Sequence, residues 1–276
     1  MIITGANSGL GRSTTQELAK AGARVIMAVR SVQRGRDTAT GISGNVEVRE
    51  LDLADLSSVR AFADGWDSPI DVLINNAGIM AVAEGKTKDG FELQFGTNHL
   101  GHFALTNLLL PQITDRVVTV CSGAHRMGAI DLADLNWERR PYKSWPAYGQ
   151  TKLANLLFTL ELQRRLQADG SAARALAAHP GYAATNLQTG TATKVGDRVL
   201  AVANKVFAQS EAMGALPSLF AATQDLPGAS YVGPDGLMEQ RGHPTLVGRT
   251  AAASDVEMAK KLWTASEELT GVSYPG

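Results

Sequence analysis

Thr4-Gly5-Ala6-Asn7-Ser8-Gly9-Leu10-Gly11 follows an apolar start, Ile2-Ile3, and leads into a segment where Leu10, Thr14, Leu18 and Ala21 recur on one helical face. Glycines at a strand-to-helix turn let the backbone bend tightly and approach a pyrophosphate, whose charge is stabilised by the free N–H groups and dipole of the helix N-terminus. The stretch therefore predicts a strand, a dinucleotide-binding turn and a helix capped at its C-terminus by Gly22. Only a few residues precede the glycines, where a strand of about five to six is ordinary. Either the first strand is short or the chain has been trimmed at its start.

Outward from this unit, Val- and Ile-rich runs at about 1–4, 24–29, 46–50, 71–75, 117–121, 173–178 and 229–232 alternate with segments of helical period. Amphipathic helices are expected at about 56–65 and 89–110, and from Tyr148 to about Ala168, where Leu153, Leu156, Leu157 and Leu160 share a side and Pro146 sits near the start. Strands alternating with helices build a parallel sheet. The expected fold class is α/β: one Rossmann domain over 1–276, with a doubly wound parallel sheet of about seven strands and helices on both faces. Leu187, Val195, Val199, Val202, Val206 and Phe207 suggest short amphipathic helices over 186–210, read as a substrate lid beside the carboxyl ends of the strands.

With 44% hydrophobic and 19% charged residues in 276, the chain can bury a substantial core. A net charge of -1 supplies no basic field for nucleic acid, and no apolar run approaches the roughly 20 residues of a membrane span. Cys121 is the sole cysteine, which excludes an intramolecular disulfide and suits a cytoplasmic location. It reads as a small buried apolar residue. His99 and His102 invite a metal reading, but no third ligand accompanies them, so they are expected to pack or hydrogen-bond.

Tyr148-Gly149-Gln150-Thr151-Lys152 places a phenol and an ammonium four residues apart, on one face of a helix. A nearby cation stabilises a phenolate, so Lys152 is expected to lower the pKa of Tyr148 and let it exchange a proton with a substrate oxygen. The strand Val117-Val118-Thr119-Val120-Cys121 delivers Ser122 to the carboxyl end of the sheet, where its hydroxyl could stabilise charge developing on that oxygen. Tyr142 is a weaker alternative acid, because position 146 is Pro and no Lys shares its face. Arg30 ends the second strand, 19 positions after Gly11. An acid there would accept hydrogen bonds from the ribose of NAD, whereas a forked guanidinium suits the 2′-phosphate of NADP.

The TGxxxGxG turn and the YxxxK pair resemble the short-chain dehydrogenase/reductase family, whose signals follow in order along nearly the whole chain. The resemblance implies a catalytic tetrad of Asn98, Ser122, Tyr148 and Lys152, with Asn98 anchoring a proton relay and Lys152 holding the nicotinamide ribose. It implies cofactor contacts from Gly5, Asn7, Ser8, Gly9, Leu10 and Gly11, from Asn75, Ala77 and Gly78 of an NNAG element, and from Asp52 and Leu53 at the adenine. Asp52 also reads as a local helix cap, although Asp55 is better placed for that. Pro180, Gly181, Tyr182 and Thr185 resemble the segment that meets the nicotinamide carboxamide. Ser8 fills a position where many NADP-dependent relatives carry a base, so NAD stays open beside the favoured NADP.

Ser122 and Tyr148 are 26 positions apart, about twice the interval in compact family members. The inserted part, with Asp134-Leu135-Asn136-Trp137 and Tyr142-Lys143-Ser144-Trp145, resembles the branch of retinol dehydrogenases and related bacterial reductases. That branch implies a lipophilic alcohol, aldehyde or ketone, with Trp145, Tyr182 and Leu187 as candidate pocket residues. Many relatives pair through helices equivalent to about 89–110 and 148–168, so a homodimer is an expectation, though an insertion before the tyrosine can obstruct it. An NADP-binding redox sensor without turnover is the alternative function; an epimerase or dehydratase of the extended branch is a weaker one, since its TGxxGxxG loop is lacking.

Overall fold

Burial decides the sheet. The run Val25-Ile26-Met27-Ala28-Val29 is apolar at every position, so a strand made from it must be covered on both faces. In the computed structural model, which describes residues 1–182 and 210–276, that is what happens. Ile26 and Ala28 join one core with Phe62, Phe103, Phe158 and Trp263, while Val25, Met27 and Val29 join another with Leu18, Ala19 and Ala221.

The strands are β1 (Ile2–Thr4), β2 (Val25–Val29), β3 (Val46–Glu50), β4 (Ile70–Asn75), β5 (Ile113–Val120), β6 (Arg174–Ala178), β7 (Tyr231–Pro234) and β8 (Pro244–Leu246). They form one sheet in the order β3-β2-β1-β4-β5-β6-β7-β8. The first seven run parallel, and β8 adds an antiparallel edge through Gly233 and Thr245. β1 has only three residues, but it pairs on both sides, Ile2 with Ile26 and with Leu73. The order reverses between β1 and β4, the place where open α/β sheets bind ligands beyond their carboxyl ends.

On one face lie α1 (Gly9–Lys20), α2 (Val32–Ala39) and, later in the chain, the helix Glu211–Thr223; on the other lie α3 (Leu56–Asp64), α4, α5 (Ser144–Ala168) and the C-terminal helix Val256–Thr270. Here α4 denotes one rod made of Leu93–Phe95, a π-turn at Gly96–Leu100 and Gly101–Leu109. The C-terminal helix crosses α5, stacking Trp263 on Phe158 with ring centroids 5.6 Å apart. Most residues of α4 and α5 are thereby buried within the chain itself. Truncating so enclosed a ring as Trp263 to Ala costs about 3–5 kcal/mol.

The lid expected over 186–210, like Thr185 and Leu187, lies outside the described residues, apart from Ser210, which caps the helix Glu211–Thr223. Among the described residues no helix is long and apolar enough to cross a membrane.

Candidate active site

β1, β4, β5 and β6 end at Thr4, Asn75, Val120 and Ala178, so the residues that follow stand in one row along the carboxyl edge of the sheet. The Thr4 hydroxyl accepts the N–H groups of Asn76 and Ala77, each at 2.9 Å, and the Asn76 amide donates to the Thr4 carbonyl at 2.8 Å. This brace presses the glycine turn against the loop after β4. Gly5 has φ +64°, and a Cβ there would lie 2.9 Å from Ala77 Cα, so both conformation and space demand glycine. Gly11 is equally confined between the Gly5 carbonyl and the Asn76 amide. Ser8 occupies the N-cap of α1 without a capping side-chain bond, and no acidic residue stands in the first turn. The helix start is thus left to meet an anion, flanked by Asn7, Gly9 and Leu10.

Arg30 is exposed at the end of β2 and makes no hydrogen bond or ion pair with a described residue. Asp52 accepts the Ala54 N–H at 2.9 Å through one of its two oxygens, and Asp55 is the side chain that caps α3. Leu53 is buried beside Gly101. Asn75 is buried too, and its amide donates to Thr106 at 2.9 Å, tying β4 to α4.

Asn98 lies inside the π-turn of α4. Its side chain accepts the Ile79 N–H and donates to the Ile79 carbonyl, both at 2.8 Å, and reaches Thr151 at 3.2 Å. Gly78 fits between the functional groups: a Cβ there would be 3.3 Å from Asn98 Oδ1 and 3.7 Å from Lys152 Nζ. Lys152 Nζ donates to the Val120 carbonyl at 3.0 Å and stands 5.6 Å from the centre of the Tyr148 ring. Ser122 caps the short helix Gly123–Met127, and its hydroxyl stands near enough to the Tyr148 phenol to favour the phenolate. Asn98, Ser122, Tyr148 and Lys152 therefore come together. Trp145 meets Tyr148 edge-on at 6.2 Å and remains 44% exposed.

The electrostatics correct one expectation. Lys152 does not bring the phenol down: burial pushes Tyr148 up, from 10.0 to about 12, and the Ser122 hydroxyl offsets only part of this. The same burial lowers Lys152 from 10.5 to about 8, so both groups are held neutral more readily than in water. Cys121, beside them, is pushed up to about 12 by burial and stays a thiol.

The histidines of α4 are structural. Burial lowers His102 to about 4 and His99 to about 3. His102 bridges the Asn98 carbonyl at 3.1 Å and the Thr4 hydroxyl at 2.9 Å, joining the tetrad's helix to the glycine turn, and His99 meets Ser266 at 2.9 Å. Among the described residues no three His, Cys, Asp or Glu side chains gather as a metal site.

A family model described as short chain dehydrogenase matches residues 1–196. The chain belongs to the short-chain dehydrogenase family. Human retinol dehydrogenase 13 is 40% identical over 100% of this chain and 85% of its own length, and human retinol dehydrogenase 14 is 41% identical over 99% and 86%. A crystal structure of an uncharacterized protein from Mycobacterium paratuberculosis, 57% identical, superimposes with a TM-score of 0.87 over 100% of this chain and 94% of that one. This short-chain dehydrogenase is accordingly an oxidoreductase of the retinol dehydrogenase-like branch, acting on alcohol or carbonyl groups.

Several residues that build this dehydrogenase's site carry no motif. Gln150, inside the YxxxK segment, takes a hydrogen bond from Arg140 and gives one to the Leu135 carbonyl, each at 2.8 Å. Tyr142, the alternative acid, is pushed above the usual phenol range by burial and by Glu92, and it donates to the Val82 carbonyl at 3.1 Å. It anchors the inserted segment. The Tyr182 N–H, expected to face a carboxamide, is given to the Gln240 carbonyl at 2.8 Å. Pro180 and Gly181, the latter at φ +65°, turn just before it.

Proposed function

We propose that this dehydrogenase transfers hydride between NADP(H) and a lipophilic alcohol or carbonyl compound, with Tyr148 exchanging the proton. The observation that carries the reading is the gathering of Ser122, Tyr148, Lys152 and Asn98 at the carboxyl edge of the sheet, beside a glycine turn whose helix start lacks an acidic side chain.

The residues present fit a dinucleotide. Gly5 and Gly11 leave room that a Cβ would fill, and Ser8 caps nothing. Gly5, Asn7, Ser8, Gly9, Leu10 and Gly11 would hold the pyrophosphate; Asp52, Leu53, Asn75, Ala77 and Gly78 would flank the adenosine half; Lys152, Pro180, Gly181, Tyr182 and Thr185 would hold the nicotinamide half. Arg30, exposed and without an ion-pair partner among the described residues, supports NADP over NAD, because its fork matches a 2′-phosphate and has no anion to meet on NAD. When bound, the nicotinamide supplies or accepts the hydride.

In the reductive direction Tyr148, held neutral by burial, donates its proton to the carbonyl oxygen while Ser122 donates a second hydrogen bond to the charge developing there. Lys152, lowered to about 8, can return a proton to the phenolate near neutral pH. Asn98 fixes the loop around Ile79, whose neighbour Gly78 leaves room beside Lys152. The kinship with enzymes named for retinol, a long apolar alcohol, and the exposed ring of Trp145 next to Tyr148 support a lipophilic substrate.

An NADPH-consumption screen over apolar aldehydes, ketones and quinones tests this reading. Turnover of at least one, faster with NADPH than with NADH, is expected. NADPH binding with no turnover across the panel would favour the redox-sensor alternative.

A further inference from the structure

The turn between β7 and β8 is strained in an informative way. Met238 and Glu239, neither of them glycine, stand in succession at φ 53° and φ 58°, in the left-handed region that side chains avoid. Such backbone persists only where its surroundings hold it, and at sites it commonly serves to aim a side chain. The side chain aimed here is the Glu239 carboxylate. Arg126, four residues beyond Ser122, donates to both of its oxygens, at 3.0 and 3.2 Å. On its other side Glu239 Oε2 lies 3.1 Å from Nε2 of His179, a residue only 2% exposed in its side chain.

His179 directly follows β6 and precedes Pro180 and Gly181. Its Nδ1 accepts the Gly181 N–H at 3.2 Å, so the ring proton belongs on Nε2, which stands 3.1 Å from the carboxylate without a well-aligned hydrogen bond to it. The hydrogen bond made by one ring nitrogen sets the state of the other. Next in the chain, the Gln240 carbonyl takes the Tyr182 N–H at 2.8 Å. A Cβ on Gly181 would press on that same carbonyl at 2.5 Å. The strained turn thus grips residues 179–182 at two points and the segment after Ser122 at a third.

We propose that Glu239 is a positioning residue for the reaction: its carboxylate joins the Ser122 segment, through Arg126, to the Pro180–Gly181 segment, through the His179 tautomer, and so fixes the spacing between the substrate oxygen's donors and the nicotinamide-side backbone. The inference rests on the proposed function for its consequence in turnover. The coupling through His179 is a property of the protein alone. Glu239 stands outside the residues proposed to meet substrate or cofactor and carries no sequence motif; the left-handed backbone is what marks it.

The test uses the full chain and the variants Glu239→Ala, Glu239→Gln and Arg126→Ala, with His179→Ala to assign signals. Long-range 1H–15N spectra report the tautomer of His179 in the protein alone, fluorescence titration reports NADPH affinity, and steady-state kinetics with a substrate from the screen report kcat and KM. In the parent, His179 is expected with its proton on Nε2. Glu239→Ala should mix the tautomers, weaken NADPH and lower kcat, together by roughly tenfold to a hundredfold in kcat/KM, the scale of small misplacements around reacting groups. Glu239→Gln, which keeps an acceptor oxygen, should restore most of this. Arg126→Ala, at a half-exposed side chain, should leave the tautomer and NADPH affinity intact and reduce kcat alone. A Glu239→Ala protein with an unchanged His179 tautomer and unchanged NADPH affinity overturns the proposal. A parent that binds no NADPH, yet shows the tautomer change on Glu239→Ala, overturns the functional reading and leaves the coupling standing.

Discussion

Gln150 Oε1, between the phenol of Tyr148 and the ammonium of Lys152 in sequence, accepts a hydrogen bond of 2.8 Å from the guanidinium of Arg140. The same guanidinium lies 3.9 Å over the Trp137 ring and reaches the Asp134 carbonyl at 3.2 Å. The segment inserted between Ser122 and Tyr148 is therefore fastened to the helix Ser144–Ala168 rather than looped out. Arg140→Ala would leave a buried amide oxygen without its donor, a loss of about 1–3 kcal/mol. Thermal unfolding should shift down by several degrees, and kcat should fall more than the affinity for NADPH; an unchanged melting temperature and kcat would detach the insertion from the site.

Arg30 is the residue whose charge should decide between the cofactors. Arg30→Asp replaces a phosphate partner with an acceptor suited to a ribose hydroxyl, and repels the 2′-phosphate. The ratio of kcat/KM for NADPH to that for NADH is expected to fall by at least about tenfold, on the scale of 1.4 kcal/mol or more. An unmoved ratio would mean that Arg30 does not meet the phosphate.

Acid should weaken the protein above the range in which carboxylates protonate. His102 and His99 have folded pKa values lowered to about 4 and about 3, against 6.5 when free. Below pH 6.5 the unfolded chain takes up protons that the folded one refuses, so stability is complete above 6.5 and declines as pH falls toward 4. Each histidine contributes about 1.4 kcal/mol per pH unit across that window. Urea unfolding of the parent and of His102→Asn at about pH 7, 5.5 and 4.5 checks the sign: the variant should show a clearly shallower loss. Parallel pH slopes would contradict the neutral, buried state of His102.

The alternation of Val- and Ile-rich runs with helical segments makes the sheet and the glycine turn readable from residues 1–178; Ser122 is legible as the residue after a strand and Tyr148 and Lys152 as a pair on one helix face, whereas Asn98, inside a π-turn, is marked only by the family resemblance. Other features lack such a mark. Val32–Ala39 is short and mostly polar, and its Gly35 packs on Val29 and Val48, so contact rather than periodicity makes it a helix. Glu211–Thr223 carries Pro217 within it, and Pro244–Leu246 is a three-residue edge strand defined by its partner. The direction of the Tyr148 shift is hidden from the sequence because spacing reveals that two groups share a helix face, whereas desolvation depends on everything packed around them. Gln150, Arg140 and Glu239 are hidden for a related reason: their roles arise from contacts between segments distant in sequence, or from a backbone angle.

The central claim is that Tyr148 exchanges the proton while the remaining groups hold the reactants. It is tested most directly by Tyr148→Phe, with NADPH affinity measured by fluorescence titration and single-turnover NADPH oxidation followed in the presence of an accepted carbonyl substrate. The ring and its contact with Trp145 survive the change, so NADPH affinity should stay within about twofold while the rate of oxidation drops by roughly 10² or more, the contribution typical of a positioned acid. A Tyr148→Phe variant that oxidises NADPH at the parental rate would contradict the account.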